Sequence, residues 1–398
     1  MQREKPADEK RRQRAPEQNH GRPRGLPTAC VQHAYAHCPD CGYRLRGRAV
    51  ARRREVLELP ETPVAVIEHQ ILKRYCPVCQ AYKTPRVSFA GQVLGQSRIG
   101  VRLASLIGTL RTSCRLPLAA IQRLLAAVYR LQLSAGGLQD ILARLCRQLA
   151  PVRAAIGAQT RASPVVHMDE TGWRQDGQNG YLWVQATGEP TPTRVYSFHP
   201  SRAGQVARDL LGDFGGVLST DFYVAYDQYP GPKQRCWAHL LRAAHELAED
   251  HPGRTDVQDW VRALKDLFTG ATALDLADRT PRERARVARH LERRTRLLAR
   301  CYRMTDGHPA HVLATRLHRY ESELFEFIRT PGVSPTNNLA ERAVRPQVIA
   351  RKISGGSRSD AGSAIRCDLA TAFATWAARG LNPFTASVEA LQTALPQL

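Results

Sequence analysis

Two short apolar runs, each ending in an aspartate, constrain this chain of 398 residues more than any other feature. Ser163-Pro-Val-Val-His167 follows a polar stretch and leads into Met168-Asp169-Glu170-Thr171-Gly172-Trp173, while Gly216-Val-Leu-Ser-Thr220 leads into Asp221. Runs of this length bounded by Pro or Gly read as buried strands, and a strand that surfaces at its carboxyl end holds the residue there rigidly. Tyr181 to Thr187 and Thr193 to Phe198 are further β-rich runs separated by Gly and Pro turns, so the first three strands form a meander. Arg202 to Phe214 has helical periodicity and precedes the fourth strand. One aspartate after one strand is an ordinary turn or cap residue. Two of them, with a helical glutamate further on, suggest a carboxylate site for magnesium, which takes oxygen ligands and is usually held by one or two carboxylates.

Cysteine spacing supplies the second constraint. Cys38-Pro-Asp-Cys41 and Cys76-Pro-Val-Cys79 are paired knuckles, and two such knuckles complete a tetrahedral Cys₄ zinc site. Between them Ile67, His69 and Ile71 alternate with Glu68 and Gln70, as in a half-exposed strand, so a zinc ribbon with a small sheet is expected. Duplication, and the lack of a flanking βαβ unit, argue against a redox role for the pairs. Arg44, Arg46, Arg48 and Arg52 to Arg54 leave the ribbon either structural or DNA-contacting. Lys and Arg total 58 against 36 Asp and Glu, a net charge of +22, which points to a polyanion, most economically nucleic acid. No window of about 18 apolar residues occurs and the N-terminus lacks an apolar core, so neither a membrane span nor a secretory signal is read; a cytosolic setting is expected.

Residues 1–29 have the composition of a disordered basic arm. From Ser97 to Ala158 the pattern is helical: Leu118, Ile121, Leu124, Leu125 and Val128 form one stripe, Leu138, Ile141, Leu142, Leu145 and Leu149 another, with Ser134 as N-cap between them. The pair is a helix-turn-helix or an ordinary αα-hairpin. Cys236-Trp-Ala-His239 opens a helix reaching Asp250; Cys236 reads as a core thiol and His239 as active-site support or a packed histidine. Residues 254–329 read as three helices, with a capping box at Thr280-Pro-Arg-Glu283 and a last helix from His311 to Phe327. Arg286, Arg289, Arg293, Arg294 and Arg296 are a DNA-facing or a solvated face. Asn337, Glu341 and Arg345 then share one helical face, with Pro346 bending or ending that helix and a basic, flexible loop following. Arg345, Arg351, Lys352 and Arg358 are the candidate phosphate contacts, and Ala361 to Arg379 is a core helix.

Taken together HMDETGW, STDFYVAYD, CWAHLLRAAHELAED and TNNLAERAVRPQVIARK resemble the catalytic region of the insertion-sequence-66 family of DDE transposases, from the first cysteine pair to the C-terminus. The resemblance implies a multidomain α/β protein: a ribonuclease-H-like catalytic core with an all-helical insertion, preceded by a Cys₄ zinc ribbon and a helical region. The corresponding boundaries are a disordered arm at 1–29, the ribbon at 30–95, a helical DNA-binding or linker region at 96–160, the first part of the core at 161–253, the insertion at 254–330 and core completion at 331–398. It further implies a catalytic triad of Asp169, Asp221 and Glu341 holding two magnesium or manganese ions, His239 and Asn337 as active-site support, and one structural zinc on Cys38, Cys41, Cys76 and Cys79. The expected partners are DNA, as transposon ends and target, a homo-oligomer on that DNA and small accessory proteins, in the prokaryotic nucleoid. A zinc-ribbon regulator without catalysis would need no triad; a ribonuclease-H-type nuclease would share the triad but not strand joining. The complete triad argues against a decayed, inactive element.

Overall fold

The computed structural model describes residue 26, residues 28–50, 52, 54, 56, 57, 59 and 61, and residues 63–393. Nearly all of the arm expected over residues 1–29, and Arg53, lie outside the described residues. The chain forms two compact units, residues 1–62 and residues 63–398.

In the first unit the Cys38–Cys41 segment is a tight turn. The Cys38 N–H donates to the Tyr43 carbonyl at 2.8 Å and the Gly42 N–H to the Cys38 carbonyl at 2.9 Å. Gly42 takes a positive φ of 73°, a conformation that costs glycine little, and His37 bridges Arg44 beyond it.

The second unit opens with a hairpin of β1 (Arg74–Cys76) and β2 (Ala81–Lys83). The strand expected around Ile67 to Ile71 does not form: the segment joins no ladder and both isoleucines are exposed. Alternation marks a strand only where a sheet exists to receive it, and here the pairing falls nearer the second cysteine pair. Four helices follow, α1 (Val101–Thr112), α2 (Leu118–Tyr129), α3 (Ala135–Gln148) and α4 (Ala150–Arg161). Ser134 caps α3, its hydroxyl accepting the Gly137 N–H at 3.0 Å. Ile121, Leu125 and the stripe of α3 are buried with Ile107, Phe373 and Trp376 in one core; Val128, at the end of the α2 stripe, is exposed.

The sheet positions the site. β3 (Val165–Gln175), β4 (Gln178–Thr187) and β5 (Thr193–His199) form an antiparallel meander, and α5 (Gly204–Leu211) crosses to β6 (Val217–Thr220), which lies parallel to β3. The spatial order is β5-β4-β3-β6-β7, with β7 (Lys233–Arg235) parallel to β6. β3 runs six residues past Asp169, so that aspartate sits mid-strand and not at the strand's end as expected. The cause is the turn at Asp176-Gly177, both with positive φ; Asp-Gly favours the two-residue hairpin that keeps β3 and β4 paired to their tips. β7 was not legible because Lys-Gln-Arg has no apolar alternation.

After the sheet come α6 (Trp237–Asp250) and the helices α7 (Thr255–Thr272), α8 (Pro281–Arg300), α9 (His311–Tyr320) and α10 (Glu326–Arg329). They share a core around Trp260, Leu264, Leu291, Leu317 and Phe325. The capping box of α8 is present, with the Glu283 N–H on the Thr280 hydroxyl at 3.3 Å and the Thr280 N–H on the Glu283 carboxylate at 2.9 Å. The helix expected to reach Phe327 stops at Tyr320, and a single turn of 3₁₀ helix, Glu321–Glu323, redirects the chain. Carboxylates there are drawn to Arg235 and Arg296, contacts between distant segments that periodicity cannot show.

The chain closes with α11 (Asn338–Ser354), α12 (Asp360–Ala378) and α13 (Pro383–Thr393). Of the two outcomes expected at Pro346, ending is excluded: α11 continues through it. The carbonyl deprived of a donor belongs to Arg342, an exposed residue, where water can replace the lost bond. One face of the sheet packs Met168 and Trp183 on Leu211 and Tyr226. The other packs Leu182, Val184 and Tyr196 on Ala340 and Val344 of α11 and Ala370 of α12. Strand alternation thus produces a helix-sheet-helix sandwich, each such buried side chain contributing about 1.5–3 kcal/mol.

Candidate active site

Register places the first two carboxylates side by side. His167 pairs with Ser219 across β3 and β6; two residues further along each chain come Asp169 and Asp221. Asp169 lies opposite Val184, whose side chain faces α11, so Asp169 faces α11 as well. Its Oδ1 accepts the Glu170 N–H at 2.9 Å. Asp221 Oδ1 accepts the Tyr223 N–H at 2.9 Å, one residue past the end of β6.

Glu341 reaches the same place from the first turn of α11, and Asn337 is what brings that turn there. Asn337 is 1% exposed; its Nδ2 donates to the Met168 carbonyl at 2.8 Å, its Oδ1 lies 3.1 Å from His167 Nδ1, and its N–H donates to Cys236 Sγ at 3.1 Å. One residue therefore joins β3, through its side chain, to α6, through its backbone N–H, at the start of α11 beside Asp169. His167 is buried, which pushes its imidazole down to about 4 and keeps it neutral as Asn337's partner.

Crowding of like charge is the electrostatic signature. Asp169 is pushed up to about 7, first by burial and then by Glu170, Asp221 and Glu341, while the Glu170 N–H opposes the shift. Glu170 itself points to the opposite face. Its side chain is 2% exposed, Arg202 contacts it at 2.9 Å through Nε and 2.5 Å through Nη2, and Tyr226 donates to its other oxygen. The acid next to Asp169 is thus neutralised by a partner, whereas Asp169 faces other acids.

Behind Asp221 lies Arg235, fully buried. Its Nη1 donates to the Asp221 carbonyl at 2.9 Å, its Nε pairs with Glu323 at 2.7 Å and its Nη2 with Asp227. Sequence reading missed this clamp; the only signal was an arginine in an otherwise buried run. The three acids between Asp306 and Glu341 are committed elsewhere: Glu321 to Arg296, Glu323 to Arg235, and Glu326 to Thr330 at 2.6 Å and Arg329 at 3.7 Å. The ion-pair contact of Glu341 among the described residues is with His239, Nδ1 to Oε1 at 3.5 Å.

The basic residues divide. Arg351 lies across β3, its guanidinium donating to the Gly172 carbonyl and 3.4 Å from the Thr171 hydroxyl. Arg345, Lys352 and Arg358 are exposed. The loop expected to be flexible is pinned: the Ser357 N–H donates to the Arg174 carbonyl at 2.8 Å, the Asp176 N–H to the Ser357 carbonyl at 2.8 Å, and Trp173 Nε1 to the Ser357 hydroxyl at 3.1 Å. Gly356 makes this approach, since a Cβ there would stand 2.1 Å from the Arg174 carbonyl oxygen. At the cysteine pairs, the N–H groups of Cys41 and Asp40 hold the Cys38 thiol below its ordinary range, as those of Cys79 and Val78 do for Cys76.

Residues 96–365 match the family model described as Transposase IS66 family. The chain belongs to that family. Residues 36–80 match a second model, the zinc-finger binding domain of transposase IS66, which spans both CxxC pairs. Among curated proteins, Uncharacterized protein y4qI of Sinorhizobium fredii (strain NBRC 101917 / NGR234) is 28% identical over 228 residues, covering 51% of this chain and 41% of that protein's length. The IS66 match therefore extends across the helices α1 to α4, the sheet, the helical block and α11. No helix among the described residues is long and apolar enough to cross a membrane.

Proposed function

We propose that this IS66-family chain is a DNA transposase with a ribonuclease-H-like core, in which Asp169, Asp221 and Glu341 hold two magnesium or manganese ions that serve strand cleavage at transposon ends and transfer of the freed 3′ ends to target DNA. The observation that carries the reading is the convergence of these three carboxylates, on β3, just past the end of the adjacent parallel β6 and on α11, around Asp169. The residues fit hard cations: the donors are carboxylate oxygens, and among the described residues no lysine or arginine forms an ion pair with Asp169, whose neighbours Asp221 and Glu341 add like charge. When bound, such ions activate the attacking oxygen and stabilise the leaving one in in-line phosphoryl transfer.

The chain's own contribution is placement. Asn337 fixes the first turn of α11 against Met168, so Glu341 stands at Asp169. Arg235 holds the carbonyl of Asp221 from behind. Exposed Arg345, Lys352 and Arg358 lie on α11 and its following loop, suited to the phosphates of a strand entering the site, and the charge of +22 draws DNA to the protein as a whole. The two cysteine pairs, through Cys38, Cys41, Cys76 and Cys79, hold a structural zinc in this reading, supported by the zinc-finger match across residues 36–80.

Strand joining separates this from a nuclease or a DNA-binding regulator. Duplexes carrying the element's terminal sequence with a free 3′ hydroxyl, incubated with magnesium and a supercoiled target plasmid, should become covalently joined to the plasmid. Hydrolysis without joining would leave a nuclease; binding without either would leave a regulator.

A further inference from the structure

Cys236, His239 and Glu341 bring a thiol sulfur, an imidazole nitrogen and a carboxylate oxygen within 4.8 Å of one another. Local structure explains the convergence. Cys236 is the N-cap of α6 and His239 lies three residues on, in its first turn, so both side chains project from the same end of the helix. Glu341 is delivered from the first turn of α11, and the Asn337 N–H bound to Cys236 Sγ ties the two helix starts together.

Two of these groups are unsatisfied. His239 Nδ1 and Glu341 Oε1 are shielded from solvent and neither has a hydrogen-bond partner. They face each other at 3.5 Å, too far for the 2.7–2.9 Å expected of a charge-assisted hydrogen bond. Leaving such atoms unpaired costs about 1–3 kcal/mol each, and a cation placed between them satisfies both. The donor set selects the ion. Magnesium and calcium take oxygens, whereas one sulfur, one nitrogen and one oxygen suit zinc, with three protein ligands and an open fourth position.

We propose that Cys236, His239 and Glu341 form a zinc site at the edge of the carboxylate cluster, distinct from the zinc of the CxxC pairs and anchoring Glu341 through Oε1. The site rests on its own donor set; only its effect on Glu341 leans on the transposase reading. Zinc bound there leaves the second Glu341 oxygen for the hard cations and ties the start of α6 to that of α11.

Zinc content of the purified full-length chain, dialysed against metal-free buffer after zinc loading, tests it. Wild-type protein should exceed both Cys236→Ser and His239→Gln by about one equivalent per chain, and the same difference should persist in a background with Cys38, Cys41, Cys76 and Cys79 changed to Ser. Equal zinc in wild type and His239→Gln overturns the proposal. Because Cys236 is buried and its variant can misfold, His239→Gln, at a half-exposed position, is decisive once circular dichroism shows it folded. Strand joining in the same preparations keeps the two readings apart: wild-type protein that binds the second zinc but joins no DNA contradicts the transposase, not the site.

Discussion

Among single residues, Asp169 carries the clearest thermodynamic consequence. Its carboxyl is pushed up to about 7 in the folded chain, chiefly by burial, against about 4 in an unfolded one. Between those values the folded state holds a proton that the unfolded state has lost, so this contribution is fully present below about pH 4 and is lost as pH rises through about 7. In metal-free buffer Asp169→Asn should therefore melt higher than wild type at about pH 8, and the gap should shrink toward about pH 5. Added magnesium should raise the wild-type melting temperature at the higher pH and leave the variant nearly unchanged, because the ion replaces the proton. Identical pH dependence in the two proteins would refute the burial and crowding of this carboxylate. Sequence singled out Asp169, Asp221 and Glu341 as candidates; it could not disclose that Glu170, one residue away, pairs with Arg202 on the other face, because that pairing depends on a long-range fold contact.

For the elements, Asn337 is the joint. It bonds β3, lies beside His167, and donates to Cys236 at the start of α6. Asn337→Ala would leave the Met168 carbonyl and the His167 ring without partners, a loss of about 1–3 kcal/mol for each buried group left unpaired. Chemical denaturation should show that loss with an unchanged slope; a midpoint equal to wild type would mean that α11 is positioned by its apolar face alone. Most elements were legible where local signals and tertiary demand agree. Ser134, the Thr280-Glu283 box and the stripe of α3 are such cases. They were illegible where pairing overrides pattern: Ile67 to Ile71 alternates without a sheet, and Lys233–Arg235 pairs without alternation. The His239-Glu341 approach was hidden for the same reason, although the spacing of Cys236 and His239 was visible.

At the level of the whole molecule, the proposed transposase would bind DNA through its charge and act through its carboxylates. On α8, Arg286, Arg289, Arg293 and Arg294 are exposed while Arg296 pairs with Glu321, so the helix presents exposed arginines to solvent. Affinity for duplex DNA should fall steeply with salt, and Asp169→Ala should keep both the affinity and the slope; a flat salt response would contradict phosphate neutralisation as the source of binding. The central claim is that three carboxylates far apart in sequence act as one site. Its most direct test is magnesium-dependent nicking of a supercoiled plasmid carrying the element's ends by Asp169→Asn, Asp221→Asn, Glu341→Gln and, as comparison, Glu326→Gln. The first three should each lose activity to a similar extent, on the order of a thousandfold or more, as members of a unit do, while end binding persists and Glu326→Gln, whose acid pairs with Arg329, keeps most of its cleavage. Near-normal nicking by Glu341→Gln, with cleavage lost in Glu326→Gln, would contradict the account.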